Sequence, residues 1–429
     1  MALPLEGIRV LSQGLVWAGP SATLLLADMG AEVIEVETIQ HLNPTRTNYR
    51  FPPKGLMEGP GGAVYVDRSA AGRFWDRCAT FNYGKRNCKA VTINLNHPKG
   101  RDLFLRLAAQ SDAFLENNAA HVVEKLGIDY PDLAAVNPRL IMLRFPGYGI
   151  TGPYKYYKGY GANVEAIAGH TALRGYRDLD PSMTPPIYHA DPTAASHGVF
   201  AIVSALRHRE RTGRGQLIDM SQAESVINHL PHAFMDYSMN RRTQPHWGNR
   251  HPSMAPHAVL PCRGDDEWIA IAVAGDDAFA RLCRVMGRPG LIEDERFADV
   301  VSRHRNQDEL EAILGAWTAR QDKVELMRTL QAVGVAAAAV FKSDEMHANP
   351  HLASRNFFEQ VTHPEAGTHP YPGGLAKFSR TPLHIRQPAP TLGQHNEAVF
   401  KGIVGVSDAE YQELLQEQVI GDTYLDSAT

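Results

Sequence analysis

The sequence has 429 residues, of which 44% are hydrophobic and 21% are charged, so it has an ordinary globular composition and enough length for two domains. Its formal net charge of −4 excludes a bulk attraction to nucleic acid or to an anionic membrane. No apolar run has membrane-spanning length, the first residues do not resemble a signal peptide, and the four cysteines lack disulfide or metal-binding spacing, so we expect a cytoplasmic protein.

The first forty residues have the pattern of a βαβ unit. Apolar runs at Ile8–Leu11 and Ala31–Glu37 predict two strands, and Ala18–Asp28 between them predicts a helix that ends at Gly30. Such a unit predicts a parallel sheet with a right-handed crossover. The turn after the first strand, SQGLVWAGP, lacks the GxGxxG pattern, which argues against a nicotinamide-dependent dehydrogenase.

More of the same α/β pattern follows after a long irregular stretch. Residues 40–75 are rich in proline and glycine and predict a loop. The alternation that follows predicts strands at Ala90–Asn94, Ala113–Glu116 and Leu140–Arg144, with helices at Lys99–Gln110 and Val122–Leu126. Residues 145–190 are rich in glycine and aromatic residues, as expected of loops that close over a ligand.

The second half of the chain contains a smaller folded region. Residues 192–210 predict one helix and residues 215–240 predict another. Residues 257–340 have enough pattern for a second domain, with a strand at Trp268–Val273 and helices at Asp276–Met286, Gln307–Ala319 and Lys323–Val333. A last helix is predicted at Asp408–Gln418. The residues alone therefore indicate an α/β protein of two domains.

Asp191 lies in the segment IYHADPTAASHG, between a strand-like run and a helix of small residues. It could simply be an N-cap, because Asp before Pro is a common helix start. It could also be a carboxylate at the mouth of a parallel sheet, where the active sites of α/β proteins lie. The two interpretations are compatible, since a helix N-terminus favours an ionised carboxylate, which can act as a nucleophile.

Other candidate motifs are weak. The glycines of Arg211–Gln216 could form a phosphate-binding nest, but a connecting turn between two helices is the favoured interpretation. The 19 histidines show no HExxH or HxH spacing, so we expect no metal site. No GxSxG elbow is present and no cysteine has an evident base, which argues against serine or thiol nucleophiles.

Five segments in order resemble the family III CoA-transferases, a family that also includes the α-methylacyl-CoA racemases. The resemblance extends from about residue 4 to residue 400. It is carried by PLEGIRVLSQGLVWAGPSATLLLADMGAEVIEVE, VTINLNHPKGRDLFLRLAAQSDAFLENN, GIDYPDLAAVNPRLIMLRFPGYGITGPY, HADPTAASHGVFAIVSALRHRERTGRGQLIDMS and TPLHIRQPAPTLGQHNEAVF.

The resemblance implies an architecture and a set of site residues. It implies a large Rossmann-like domain built from residues 1–215 and 341–429, a smaller α+β domain with its linker helix in 216–340, and an interlocked homodimer. It also implies that acyl-CoA is a substrate, that no cofactor is tightly bound, and that Asp191 is the catalytic aspartate. The positions that would contact CoA are Val16, Ala18, Asn117, Lys125 and Lys158.

Two positions depart from the pattern of the relatives. Thr38 stands where many relatives place a basic residue that contacts the nucleotide. Trp17 stands where the formyl-CoA:oxalate enzymes have a glutamine, and the glycine-rich closing loop of those enzymes is not visible here. Formyl and oxalyl groups are therefore disfavoured, and we expect a larger acyl group to contact Trp17 and Tyr160.

The racemase branch differs from this chain at one informative segment. Racemases have a histidine in a GHD segment ahead of the aspartate, whereas this chain has Gly159-Tyr160-Gly161, as the transferases tend to have. A tyrosine has a reference pKa of about 10, which is too high for α-proton abstraction near neutral pH without a large shift. Tyr160 therefore favours a transferase over a racemase.

The acyl acceptor is predicted less directly. The segment GNRHPSMAPHAVLPCRG and a group of aromatic residues indicate that the acceptor is an aromatic or dicarboxylic acid. Such a group can equally be core packing. The aromatic residues are Trp17, Tyr156, Tyr157 and Tyr160. The segment resembles the benzylsuccinate CoA-transferase branch, in which succinyl-CoA is the donor. The alternatives are a racemase or isomerase that uses Asp191, and a CoA-binding subunit of a hetero-oligomeric transferase.

Overall fold

The computed structural model describes residues 2–176, 178–183 and 188–428. The chain divides into a larger unit, formed by residues 1–170, 186–232 and 353–429, and a smaller unit, formed by residues 171–185 and 233–352. The domain limits of the sequence analysis, 215 and 340, stay a prediction. Within the described residues, no helix combines the length and the apolar character needed to cross a membrane.

The strands form one large sheet and two small ones. The first six strands form a parallel sheet in the order β3-β2-β1-β4-β5-β6, the next three form an antiparallel sheet in the smaller unit, and the last two form a hairpin in the larger unit. Their bounds are β1 Arg9–Gln13, β2 Glu32–Glu37, β3 Lys89–Thr92, β4 Ala113–Glu116, β5 Ile141–Arg144, β6 Gln216–Asp219, β7 His257–Pro261, β8 Trp268–Ala272, β9 Ala336–Ala339, β10 Phe358–His363 and β11 Gly367–Pro372.

The helices follow in chain order. The α-helices are α1 Ala18–Asp28, α2 Lys54–Glu58, α3 Ala79–Gly84, α4 Pro98–Ala109, α5 His121–Leu126, α6 Tyr130–Val136, α7 Gly161–Ile167, α8 His170–Leu173, α9 Ala190–Thr212, α10 Gln222–Ile227, α11 Pro231–Asn240, α12 Asp276–Val285, α13 Val300–Arg305, α14 Gln307–Thr318, α15 Lys323–Ala332, α16 Ser343–His347, α17 Pro350–Ser354, α18 Asn396–Val399 and α19 Asp408–Gln416. Short 3₁₀ helices occupy Pro60–Val64, Val66–Arg68, Phe74–Arg77, Pro181–Met183 and Pro289–Ile292, and a π-helical turn occupies Phe400–Val404.

The strand order confirms the α/β prediction. The order 3-2-1-4-5-6 is that of the Rossmann fold, in which ligands bind at the carboxyl ends of the strands, where the strand order reverses. Here the reversal lies between β1 and β4. The loop after β1 and the residues after β4 therefore mark the place where a site is expected.

The large sheet is buried on both faces, as a parallel sheet requires. Neighbouring residues of β1 show this, because Val10 belongs to one apolar core and Leu11 to the other. The Val10 side is covered by α1 and α9, and the Leu11 side by α4 together with the C-terminal residues around Phe400. Phe104 and Phe114 meet edge to face across the second core, with ring centroids 5.3 Å apart.

The smaller unit has an apolar core of its own. Alternate residues of β8, Ile269 and Ile271, are fully buried against helices α12, α14 and α15, which contribute Leu282, Leu314 and Leu330. This period-2 burial in an antiparallel strand is what a sheet covered on one face produces.

Three segments differ from the predicted pattern. Residues 40–75 were expected to be a loop, but they contain α2 and three-residue to five-residue 3₁₀ turns. Residues 145–190 were also expected to be loops, but α7 and α8 lie there. Residues 215–240 were predicted as one helix, whereas they form β6, α10 and α11, because β6 is a short edge strand that β5 holds by parallel pairing. Such pairing is long-range and leaves little signal in the local sequence.

The glycines of Arg211–Gln216 form a turn, although not the one between two helices that was expected. Gly213 follows the last residue of α9 with a φ of 75°, the left-handed conformation that glycine provides at helix ends. A β-carbon at Gly215 would overlap the carbonyl of Leu140. The two glycines therefore let α9 end and β6 begin within three residues.

Candidate active site

Asp191 lies in the first turn of α9 and is 7% exposed. The helix begins at Ala190 with His189 as its N-cap, so the prediction that Asp191 itself caps the helix is wrong by two positions. The predicted helix, 192–210, is likewise extended by two residues at each end. Asp191 therefore lies inside the helix start, with its carboxylate turned towards α1.

Two backbone N–H groups, those of Ala18 and of Asp191 itself, favour the charged form of the Asp191 carboxylate. Burial raises the pKa of Asp191 to about 6, the charge of Glu165 acts in the same direction, and the two N–H groups act against them. The helix start favours the charged form, as expected, but burial outweighs this effect on the pKa of Asp191. Asp191 remains ionised at neutral pH, but it is more basic than an exposed aspartate.

The loop between β1 and α1 presents the N–H of Ala18. A β-carbon at Gly19 would overlap the backbone of Gly14, so the loop can close this tightly only with glycine at that position. Asn117, which follows β4, holds the loop from the other side: its Oδ1 accepts from the N–H of Leu15 at 2.8 Å and its Nδ2 donates to the carbonyl of Leu15 at 3.1 Å. The loop therefore sits at the reversal of strand order and is fixed there.

Val16 has an unusual backbone in the same loop. Its φ is +62°, a conformation that costs energy for a β-branched residue, and its N–H donates to Thr45 Oγ1 at 3.0 Å. Three residues before Asp191, Tyr188 also has a positive φ, of 54°. Two strained residues thus flank the position where Ala18 and Asp191 meet.

Gly161, the first residue of α7, lies directly against Asp191. A β-carbon at position 161 would overlap Oδ2 of Asp191 and would come within 3.3 Å of the ring of Tyr188. Tyr160 precedes it as the N-cap of α7 and is exposed. The segment that the sequence analysis compared with the racemases is therefore adjacent to Asp191 in space.

A cavity of about 230 Å³ opens at the carboxyl ends of β1 to β4. It combines apolar walls with polar groups, and Oε1 of Gln13 is buried there without a hydrogen-bond partner among the residues that the structure describes. The lining residues are Gln13, Leu15, Val36, Glu37, Thr38, His41, Leu42, Asn43, Pro44, Ile93, Asn94, Leu95, Asn96, Asn118, Val122 and Leu126. Leu15 links this cavity to the loop that reaches Asp191.

The family model for CoA-transferase family III matches residues 5–396 of this chain. The chain belongs to CoA-transferase family III. It is accordingly a CoA-transferase, and CoA thioesters are its substrates. The predicted family and enzyme class are confirmed.

Full-length relatives share this assignment. The chain is 33% identical over 417 residues to the succinyl-CoA–D-citramalate CoA-transferase of Chloroflexus aurantiacus, covering 97% of this chain and 98% of the relative. It is 32% identical over 420 residues to the beta subunit of the succinyl-CoA–L-malate CoA-transferase of the same organism, with 97% and 98% covered. It spans half the length of another relative, a probable CoA-transferase of Mycobacterium tuberculosis.

A solved structure shows the same fold. The CaiB/BaiF family protein from Brucella suis superimposes with a TM-score of 0.81 at 30% sequence identity, covering 94% of this chain and 100% of that one. The mixed α/β architecture with its six-stranded parallel sheet is thus that of the family.

The other residues that the resemblance singles out fall in two groups. Ala18, Val16, Trp17 and Asn117 meet at the loop after β1, and Trp17 is partly exposed there as the N-cap of α1. Lys125 is exposed in the last turn of α5, between Val122 and Leu126 of the cavity wall. Lys158 is exposed in the segment before Tyr160, and the structure does not bring it into the contacts made by Asp191.

Sequence reasoning missed several residues next to Asp191. Gly161 and the pair Gly14 and Gly19 make close approaches that only the fold reveals. Glu165 is fully buried beside the start of α9. Its only local signal is a single charge among small and apolar residues in ANVEAIAG, a segment that was predicted to be a loop.

Proposed function

We propose that this enzyme moves CoA from succinyl-CoA to a dicarboxylic acid, with Asp191 as the nucleophile. The observation that supports this most directly is the buried carboxylate of Asp191, which has a pKa raised to about 6 and faces two backbone N–H groups. The donor and acceptor classes rest on the relatives, which are named for succinyl-CoA and for citramalate or malate. An aromatic acceptor is the alternative that the same assay tests.

The chemistry begins with the donor thioester. Asp191 attacks the acyl carbonyl, a C–O bond forms, the C–S bond breaks, and the products are an aspartyl–acyl mixed anhydride and CoA thiolate. The thiolate then attacks the Asp191 carbonyl of the anhydride, which releases the donor as a free acid and leaves CoA on Asp191. The acceptor carboxylate repeats these steps in reverse, so one thioester replaces another and no external energy source is needed.

The two N–H groups at Asp191 have a defined role in these steps. Each attack on the Asp191 carbonyl places a negative charge on one of its oxygens, and the N–H groups of Ala18 and Asp191 already favour negative charge on that carboxyl group. Donors that are fixed in place before the charge develops stabilise it without reorganisation. The rigid loop held by Asn117 keeps the Ala18 N–H in position.

The cavity at the strand ends is the proposed site for the nucleotide part of CoA. Its apolar walls suit a purine, and Gln13 Oε1 offers an acceptor for an N–H donor. Thr38 lines it in place of the basic residue of many relatives, and among the lining residues only His41 has a side chain that can carry a positive charge. The exposed Lys125 and Lys158 would meet the phosphates, and Val16, Ala18 and Asn117 the pantetheine chain.

The acyl group would lie on the other side of Asp191. Trp17 and Tyr160 both expose apolar ring surface next to residues that contact Asp191, which fits a group larger than formyl. The rings of Tyr154 and Tyr157 stack at 4.8 Å in the preceding segment and add to this aromatic surface. These residues would also help to keep water away from the anhydride.

The assembly and location belong to the same proposal. The family resemblance supports an interlocked homodimer in the cytoplasm, without a tightly bound cofactor. A heteromer is the alternative, because one relative is named as a beta subunit.

The test is to incubate the purified protein with succinyl-CoA and a panel of dicarboxylic and aromatic acids, and to identify new CoA thioesters by mass spectrometry. Transfer to a dicarboxylic acid that is lost in Asp191→Asn supports the proposal, because the amide keeps the shape but not the charge. If no acid is accepted and deuterium from heavy water enters the α-position of a branched acyl-CoA, the enzyme is an isomerase and the proposal is wrong.

A further inference from the structure

Glu165 is a fully buried carboxylate in α7 whose hydrogen bonds end at the residues before Asp191. Its Oε1 accepts from the backbone N–H of His189 and, at 3.3 Å, from that of Ala190. Burying a carboxylate is costly, so a residue that only had to cap a helix would more economically be an uncharged one at the N-cap itself. The negative charge of Glu165 therefore calls for a role of its own.

The free N–H groups at the start of α9 are divided between two carboxylates. Pro192 has no N–H, so the first turn offers only those of His189, Ala190 and Asp191. Glu165 accepts hydrogen bonds from the N–H groups of His189 and Ala190, and the N–H of Asp191 favours the charged form of its own carboxylate. Because Glu165 fixes the two preceding peptide units, it also sets the direction of the third, which is one of the two N–H groups at the reacting carboxyl.

We propose that Glu165 is a positioning residue, which fixes the first turn of α9 through the N–H groups of His189 and Ala190 and whose charge tunes the reactivity of Asp191. The proposal deepens the proposed function and rests on it, since it takes Asp191 to be the nucleophile. In this role Glu165 would not contact the reacting atoms: it would act on them through the first turn of α9 and through its charge.

The charge matters because nucleophilicity follows basicity. A carboxylate that is more basic attacks a carbonyl faster, provided that it is still ionised at the working pH. Glu165 acts with burial to raise the pKa of Asp191. The titratable groups placed around the two carboxylates are His170, whose Nδ1 lies 3.8 Å from Glu165 Oε1, together with His189, His229, Tyr160 and Tyr188.

The decisive variant is Glu165→Gln, because glutamine keeps an acceptor oxygen for His189 and Ala190 but removes the charge. We expect kcat to fall by up to about threefold with little change in KM for succinyl-CoA, and the acidic limb of kcat/KM to move to lower pH by about half a pH unit. Glu165→Ala removes the acceptor as well and should lose at least a further tenfold in kcat. A pH profile that superimposes on that of the wild type would overturn the proposal.

The control is Asp28→Asn, another buried carboxylate of the larger unit, which is paired with Arg86 and makes no contact with α9 that the structure records. The Asp28→Asn variant should leave the acidic limb of the kcat/KM profile at the same pH, even if it lowers the stability of the protein. A shift of the same size in this variant would show that the effect of Glu165→Gln is a general one, and the proposal would fail.

A second measurement does not depend on transfer activity. A double-mutant cycle of Glu165→Gln and Asp191→Asn would be measured by urea unfolding. The effects of the two changes on the free energy of unfolding should be non-additive at pH 8, and the non-additivity should shrink at pH 4.5, where Asp191 is protonated. Additive effects on the free energy of unfolding at both pH values would overturn the proposal that the charge of Glu165 acts on Asp191. If the wild type transfers CoA to no acid, the proposed function fails, and this cycle still decides whether Glu165 and Asp191 interact.

Discussion

The carboxylate of Asp191 occupies the space in which a β-carbon of residue 161 would stand, so Gly161 and Asp191 can lie this close only because residue 161 is glycine. The contact joins the first turn of α7 to the first turn of α9. It also makes position 161 a sensitive probe of where the carboxylate has to be.

Gly161→Ala should therefore displace the Asp191 side chain rather than unfold the protein. Because a misplacement of about 1 Å at a reacting group costs up to about 100-fold in rate, we expect kcat to fall by about 10-fold to 100-fold. The measurement is steady-state transfer from succinyl-CoA, with the unfolding midpoint recorded in parallel. Gly402→Ala is the control, since a β-carbon there meets no atom within 4 Å; equal activities of the two variants would contradict the prediction.

The pH dependence of the reaction should report Asp191. Burial raises the pKa of Asp191 to about 6, and only the ionised form is a nucleophile. We expect kcat/KM to rise by about tenfold per pH unit below pH 6 and to level off above it. A profile that stays flat down to pH 5 would show that no group with this pKa has to be ionised.

The burial of Asp191 also lowers the stability of the folded protein at pH values at which the carboxylate is ionised. Because its pKa is raised in the folded state, the folded protein is favoured while the carboxyl is protonated, and that advantage is lost as the pH rises through about 6. Asp191→Asn should therefore be more stable than the wild type by about 1–3 kcal/mol at pH 8, and the gain should vanish near pH 4. Urea unfolding at the two pH values measures it, and a destabilised variant at pH 8 would be the contrary result.

Asn117 should matter for catalysis through the loop that it holds. Asn117→Ala removes both hydrogen bonds to Leu15 and should cost about 1–2 kcal/mol of unfolding free energy. Since the loop also presents the N–H of Ala18, kcat/KM should fall by about 10-fold to 1,000-fold, as for the loss of a preorganised donor.

The matched control for that variant is Asn137→Ala. Asn137 also makes two side-chain hydrogen bonds to backbone carbonyls, those of Ala108 at 3.1 Å and Ser111 at 2.8 Å, but it lies away from the loop. It should lose similar stability and keep its activity. If both variants lose activity in proportion to stability, the loop has no special role.

The sequence predicts well what local pattern determines. The strands β1, β2, β4 and β5 and helix α1 are strongly apolar or begin and end at clear signals, and each was predicted to within a few residues. Asp191 was singled out as a candidate because an aspartate before a proline and a run of small residues marks a helix start, and its catalytic role, which the family resemblance implies, stays a prediction. The family and enzyme class came from five ordered segments.

What the sequence does not predict depends on contacts between distant residues. The strand β6 exists because β5 pairs with it, and the helix α7 begins at a glycine that local propensity disfavours. The raised pKa of Asp191 could not be predicted, because the sequence shows the helix start but not the burial or the position of Glu165. Burial and Glu165 raise the pKa of Asp191 while the backbone N–H groups lower it, and these opposing effects can be compared only when the packing is known.

In the proposed mechanism, Asp191 carries the transferred groups covalently. The protein would be incubated with succinyl-CoA, quenched with hydroxylamine, digested, and analysed for the peptide that contains Asp191. An anhydride or thioester on Asp191 reacts with hydroxylamine, so we expect a hydroxamate at this residue that forms only with succinyl-CoA and never in Asp191→Asn. Continued transfer with Asp191 unmodified, or a hydroxamate on a different residue, would contradict it.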